Sequence, residues 1–172
     1  GGFPEKSKDP NDVNKGYNTH IIVDNNGEIK SMYRKLHLFD VNIPERSLRL
    51  LESETTLSGS EIVMCDSPVG KLGVSICYDL RFPVLYEFMA LNGAKVLLVP
   101  SAFTVPTGKA HWHILLRSRA IENQCFVIAA AQTGVHNKKR TTYGHSLVVD
   151  PWGQVLCDME EVKNDVTIVD LD

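Results

Sequence analysis

Cys77 sits where an apolar run meets a polar turn, in Leu72-Gly73-Val74-Ser75-Ile76-Cys77-Tyr78-Asp79-Leu80-Arg81-Phe82-Pro83. A strand that ends there is followed by a charged turn, and Pro83 suits the first turn of a helix. A thiol at the carboxyl end of a strand lies beside backbone N–H groups aimed outward, which is a good position for a nucleophile. A space-filling role competes with that reading, because free cysteine is among the most buried residue types. Catalysis would need a base or a cation to favour the thiolate. Lys35, in Tyr33-Arg34-Lys35-Leu36-His37, ends another strand and would supply the cation if the fold brought it to Cys77. An ammonium there would lower the thiol pKa and stabilise an oxyanion formed after attack.

Other residues offer weaker chemistry. Six histidines are present, and His37 or His145 could complete a Cys–His dyad. His111 and His113 stand two apart, which puts them on different faces of a helix, and no third ligand is close in sequence. Hydrogen-bonding or surface roles are expected for both. Glu52 and Glu54 lie in loop text and read as solvated carboxylates. Of the other cysteines, Cys125 reads as core, and Cys65 and Cys157 as structural or surface. No phosphate loop, no GxGxxG and no GxSxG elbow occurs.

The elements that must position Cys77 and Lys35 can be read from period and punctuation. Residues 4–16 are polar and read as a surface loop. Residues 18–23 and 29–35 are strands around the hairpin turn Asp24-Asn25-Asn26-Gly27. Residues 37–60 lack clean periodicity and are expected to form a long ordered loop, of the kind that is often functional. A second hairpin turns at Pro68-Val69-Gly70 and leads to a strand over 72–77. Leu85, Phe88 and Met89 fall at helical spacing, and Gly93 ends that helix. Residues 94–99 and 125–131 are continuous apolar runs, as in strands buried on both faces. A helix over 109–123 separates them. The order strand, helix, strand, helix, strand predicts βαβ units and parallel sheet. A last hairpin turns at Pro151-Trp152-Gly153, and residues 166–171 read as a final strand.

Composition narrows the class. The 172 residues suffice for one domain with a real core. A 43% hydrophobic and 23% charged make-up is ordinary for a soluble globular chain. A net charge of −3 argues against a nucleic-acid or acidic-membrane partner held by bulk charge. The basic run Lys138-Lys139-Arg140 reads as a solvated turn. No apolar run approaches the roughly 20 residues that span a bilayer. Four cysteines without CxxC spacing predict a reducing compartment.

Three segments then carry a specific likeness: Tyr33-Arg34-Lys35-Leu36-His37-Leu38-Phe39-Asp40, Ile76-Cys77-Tyr78-Asp79-Leu80-Arg81-Phe82-Pro83, and Arg119-Ala120-Ile121-Glu122-Asn123-Gln124. Ala129-Ala130-Ala131-Gln132-Thr133-Gly134, Tyr143-Gly144-His145-Ser146 and Asp150-Pro151-Trp152-Gly153 add to it. Over nearly its whole length the chain resembles the carbon–nitrogen hydrolases of the nitrilase superfamily, in the Nit branch. Within that branch it is similar to the type that acts on deaminated glutathione, including the Nit half of Nit–Fhit fusions.

The resemblance implies an α/β fold, an αββα sandwich, and a Glu–Lys–Cys site. By motif the lysine is Lys35, the nucleophile Cys77, and a second, supporting glutamate Glu52. Tyr78 would offer an oxyanion N–H and Arg81 would meet a substrate carboxylate. Ser101, Phe103 and Thr104 would line the pocket, with residues 138–140 as further anion partners. The substrate implied is a small anionic amide, with 2-oxoglutaramate as the alternative, and no metal or cofactor is needed. The family's general-base glutamate would fall before Gly1, and Glu5 does not match it. The chain therefore reads as one hydrolase domain that lacks an N-terminal part and a C-terminal tail. The full-length protein would be a homo-oligomer, cytoplasmic or mitochondrial, and the truncated chain on its own could be inactive.

Overall fold

The computed structural model describes residues 2–12, 14–46, 48–138, 140–161 and 165–172. In chain order the strands and helices are β1 (Gly2–Lys6), β2 (Gly16–Val23), β3 (Ile29–Arg34), β4 (Asp40–Ile43), β5 (Leu48–Leu51), β6 (Thr56–Leu57), β7 (Val63–Ser67) and β8 (Gly70–Val74). There follow α1 (Pro83–Leu91), β9 (Val96–Leu98), α2 (Val105–Asn123), β10 (Phe126–Ala129), β11 (Thr133–Asn137), β12 (Arg140–Tyr143), β13 (Leu147–Val149) and β14 (Val155–Asp158). A single 3-10 turn, Cys77–Arg81, links β8 to α1.

The larger sheet runs β14-β13-β10-β9-β8-β7. Its centre is parallel, β8 with β9 and β9 with β10, as the alternation of strand and helix predicts. Two successive crossovers that step the same way across a sheet, both right-handed, put α1 and α2 on one face. There α2 buries Trp112, Leu116 and Ala120 at four-residue spacing against β10 and β13, while α1 buries Leu85, Tyr86 and Met89. Each large side chain taken out of water this way contributes about 1.5–3 kcal/mol. Gly108 in α2 is dictated by this packing. A glycine inside a helix costs about 1 kcal/mol relative to alanine, but a Cβ here would stand 2.2 Å from the Tyr143 ring.

The smaller sheet is β1-β2-β3, with β6 beside β2. It covers the other face of the larger sheet through Tyr33, Val74 and Ile76, with Ile22 and Val63 around them. The described residues thus supply a helix pair and two facing sheets, the α/β sandwich expected from the resemblance. His20 on β2 joins the layers, its Nδ1 3.1 Å from the Ser75 carbonyl oxygen. Burial lowers the His20 pKa from 6.5 to about 4. Below pH 6.5 the unfolded chain takes up a proton that the folded chain refuses. Stability from this group is therefore full above pH 6.5 and falls with pH, by roughly 3 kcal/mol on reaching pH 4. A His20→Asn variant should lose less stability than the parent between pH 7 and pH 4 in urea unfolding. Identical losses would refute the assignment.

Several boundaries differ from the sequence reading. Residues 37–60 are not one loop: β4 and β5 form a hairpin and β6 joins the small sheet. Short strands of mixed polarity carry no period-two signal, so propensity alone misses them. The polar stretch 4–16 likewise begins inside β1, whose partner β2 supplies the ladder. The strand before Cys77 stops at Val74, three residues short of the thiol. α2 begins four residues earlier than residue 109, at Val105. Residues 166–171 form no strand, and their apolar members Val166 and Ile168 are exposed. The hairpin β11–β12 was not anticipated at all. Lys138 and Arg140 stand at its tip; the Lys139 of the same basic run lies outside the described residues.

Candidate active site

Cys77 opens the 3-10 turn and carries a positive φ of 48°, a conformation that is uncommon and strained for a side chain with a Cβ. Two features hold it there. Its N–H donates to the Pro100 carbonyl at 3.0 Å, past the end of β9. The second is Asp79, a fully buried carboxyl group. Asp79 Oδ2 accepts from the Ile76 N–H (2.8 Å) and the Tyr33 hydroxyl (2.7 Å). Its Oδ1 accepts from the His37 N–H (3.0 Å) and lies 2.8 Å from His37 Nδ1. One side chain thereby ties the turn that carries Cys77 to both sides of Lys35. The Tyr33 hydroxyl also accepts from the Leu36 N–H at 3.2 Å, which tightens the same join.

Lys35 is buried, and its ammonium is paired with Glu52 Oε2. That oxygen also accepts from the Phe39 N–H at 2.7 Å, and Oε1 faces the Asn18 amide at 3.5 Å. Glu52 is therefore not the solvated loop carboxylate its local text suggests. It fixes a cation that acts on the Cys77 thiol. Burial nonetheless pushes the Cys77 pKa up; hydrogen bonds from the Ala102 N–H and the Ser101 side chain and the charge of Lys35 oppose it without prevailing. The charge of Lys35 thus acts in the expected direction, but desolvation outweighs one ammonium that is already shared with a carboxylate. A thiol held above its ordinary pKa keeps its proton more firmly, so a nucleophilic role for Cys77 would need a base.

Neither histidine of the candidate Cys–His dyads is among the residues that line the cleft around Cys77. His37 is committed to Asp79 and stacks on Phe82 at 3.6 Å. His145 is committed to Asp158, with Nδ1 at 2.9 Å from Oδ1. Glu5, on the small sheet, accepts from Thr19 and Arg34. Among the other cysteines, Cys125 is buried with its thiol 3.1 Å from the Ala94 oxygen, as a core residue should be.

All eight residues singled out from sequence converge on one cleft of about 1290 Å³: Cys77, Lys35, Glu52, Tyr78, Arg81, Ser101, Phe103 and Thr104. Ser101 is nearly buried, with Oγ on the Val99 oxygen. Phe103 packs on Trp112 at 4.8 Å and carries the Arg81 guanidinium over its ring at 5.7 Å. Arg81 also touches His111 Nδ1 at 3.1 Å. Thr104 precedes α2. Sequence reasoning missed Phe39, Gln132 and Ser146, which share the lining, and the clamping role of Asp79. Lys138 and Arg140 reach the same cleft from the β11–β12 hairpin. A turn-rich Asn137-Lys138 between two short runs of β-formers was the signal that could have found it.

The model of the carbon-nitrogen hydrolase family matches residues 1–172. The chain belongs to the carbon-nitrogen hydrolase family. It is 58% identical over 173 aligned residues to the deaminated glutathione amidase of Dictyostelium discoideum, covering all of this chain and 59% of that protein. Among solved structures it is similar to the C. elegans NitFhit protein, at TM-score 0.84 and 55% identity, over 91% of this chain and 38% of the other. It also resembles a variant of the amidase from Nesterenkonia sp. AN1, at TM-score 0.77 and 27% identity over 93% and 56% of the two chains. In that amidase the acetamide moiety of fluoroacetamide is covalently attached to the active-site cysteine. The chain therefore spans well under two thirds of the relatives it matches. Among the described residues no helix is long and apolar enough to cross a membrane.

Proposed function

We propose that Cys77 is the nucleophile of an amidase and that its substrate is a small anionic amide of the deaminated-glutathione type. The observation that carries this reading is the Cys77 thiol with the buried, Glu52-bound ammonium of Lys35 acting on it. The reaction divides into two halves. The Cys77 sulfur attacks the amide carbonyl while a base takes the thiol proton. Lys35 and the Tyr78 N–H bear the tetrahedral oxyanion. Tyr78 lies in the first turn of the 3-10 helix, before that helix's first internal bond from Asp79 to Ile76, so its N–H has no acceptor within the turn. The carbonyl re-forms, the amine leaves with a proton, and a thioester stays on Cys77. Water then attacks the thioester, again with proton removal, and releases the acid.

Among the described residues, the carboxylate that acts on the thiol is Glu52, and it is engaged by Lys35 and Phe39. Glu52 is therefore a holder of Lys35 and not the proton-shuttling glutamate that the resemblance implies. Arg81, Lys138 and Arg140 give the cleft its positive side, suited to carboxylates by charge-assisted hydrogen bonding. The similarity to deaminated glutathione amidases favours that substrate over 2-oxoglutaramate. Side-by-side turnover by the full-length protein decides between them. Deaminated glutathione should show the higher kcat/KM, and a preference for 2-oxoglutaramate would reassign the substrate.

A further inference from the structure

We infer that His113, His145 and Asp158 form a binding site for a divalent first-row cation of the zinc type, beside the Cys77 cleft and separate from it. The three residues come from different elements: the middle of α2, the turn before β13, and the end of β14. Their donor atoms all lie within 4.8 Å of one another. His113 Nε2 stands 2.9 Å from Asp158 Oδ2, and His145 Nδ1 stands 2.9 Å from Oδ1. Nitrogen and oxygen donors on one zinc ion, each at about 2.0–2.2 Å and separated by 90–110°, stand about 2.9–3.4 Å apart. The spacing of each imidazole to the carboxylate thus already suits shared coordination. Two imidazoles with one carboxylate form a donor set that prefers zinc and its neighbours to calcium or magnesium.

The surroundings hold these donors in place. His145 has a positive φ of 59°, kept by its N–H on the Glu160 oxygen and its own carbonyl under the Trp112 indole N–H at 2.7 Å. Its ring stacks on Tyr143 at 4.3 Å, and the His113 ring meets it edge-on at 5.1 Å. The Glu160 N–H donates to Asp158 Oδ1 at 2.8 Å, the outer support that ligating carboxylates use. Both histidines are half-buried and Asp158 is exposed, so an ion has access from solvent. None of the three lines the cleft. Their neighbour Ser146 does, and its Oγ accepts from the Ala131 N–H at 2.9 Å. An ion held by His145 would therefore stiffen a wall of the cleft without touching Cys77.

Calorimetric titration of the full chain with Zn²⁺, paired with thermal melts, tests this. The inference predicts one ion per chain and a higher melting temperature with Zn²⁺ present. His113→Ala and Asp158→Asn should each weaken binding by about tenfold or more. Melts without metal identify which variants are folded, and either folded variant is sufficient. His136→Ala and Cys77→Ala should bind as the parent does. Absence of one-to-one binding, unchanged affinity in a folded His113 or Asp158 variant, or loss of binding in Cys77→Ala would overturn the site.

Discussion

Cys77→Ala in the full-length protein should lower amide turnover on the order of 10⁶-fold, the scale of loss when a hydrolase is deprived of its nucleophile. The loss should fall on kcat. The cleft that binds substrate is lined by many side chains, and removing one sulfur leaves most of them in place. Folding should be little affected. The side chain removed is small, and the strained φ at residue 77 is imposed by the Pro100 and Asp79 contacts of neighbouring backbone groups. A variant that kept turnover within tenfold of the parent would show that the chemistry lies elsewhere.

Asp79→Asn should be costly in a different way. The carboxyl group meets the N–H groups of Ile76 and His37, the Tyr33 hydroxyl and the His37 ring nitrogen Nδ1, so each of its oxygens faces at least one backbone donor. An amide offers one oxygen, so its NH₂ group must face donors in a site with no solvent access. Each buried donor left without an acceptor costs about 1–3 kcal/mol, and at least one bond is lost on each turn of the clamp. A destabilisation of about 3 kcal/mol is expected, read as a fall of roughly 1–2 M in the urea midpoint. Turnover should drop as well, because the same bonds set the approach of Lys35 to Cys77. A midpoint unchanged from that of the parent would mean that Asp79 does not hold the two segments together.

Much of this was legible in the sequence for identifiable reasons. The parallel centre of the large sheet could be read because strands buried on both faces leave unbroken apolar runs, as over 94–99. The hairpins at Gly27 and Gly70 could be read because both glycines have positive φ, which few other residues tolerate. The strands β4, β5 and β6 could not, because they are short, of mixed polarity and without a clean period-two pattern, so their stability comes from pairing. The same limit governs the site. Cys77 and Lys35 are 42 positions apart, and no local pattern states that they meet; the resemblance supplied that link. Glu52 looked solvated because loop text does not reveal a buried lysine across the fold. Asp79 was visible only as a letter in a motif, since its four contacts come from residues 33, 37 and 76. His113 and His145 looked unrelated for the same reason, with Asp158 as the missing third member.

The most direct measurement is the identity of the covalent intermediate. The full-length protein would be mixed with an amide substrate, quenched in acid during turnover, and digested for peptide mass mapping. The acyl group should be found on the peptide that contains Cys77, as a thioester that hydroxylamine releases. An acyl group on Cys65, Cys125 or Cys157, or turnover without any acylated cysteine, would contradict the account.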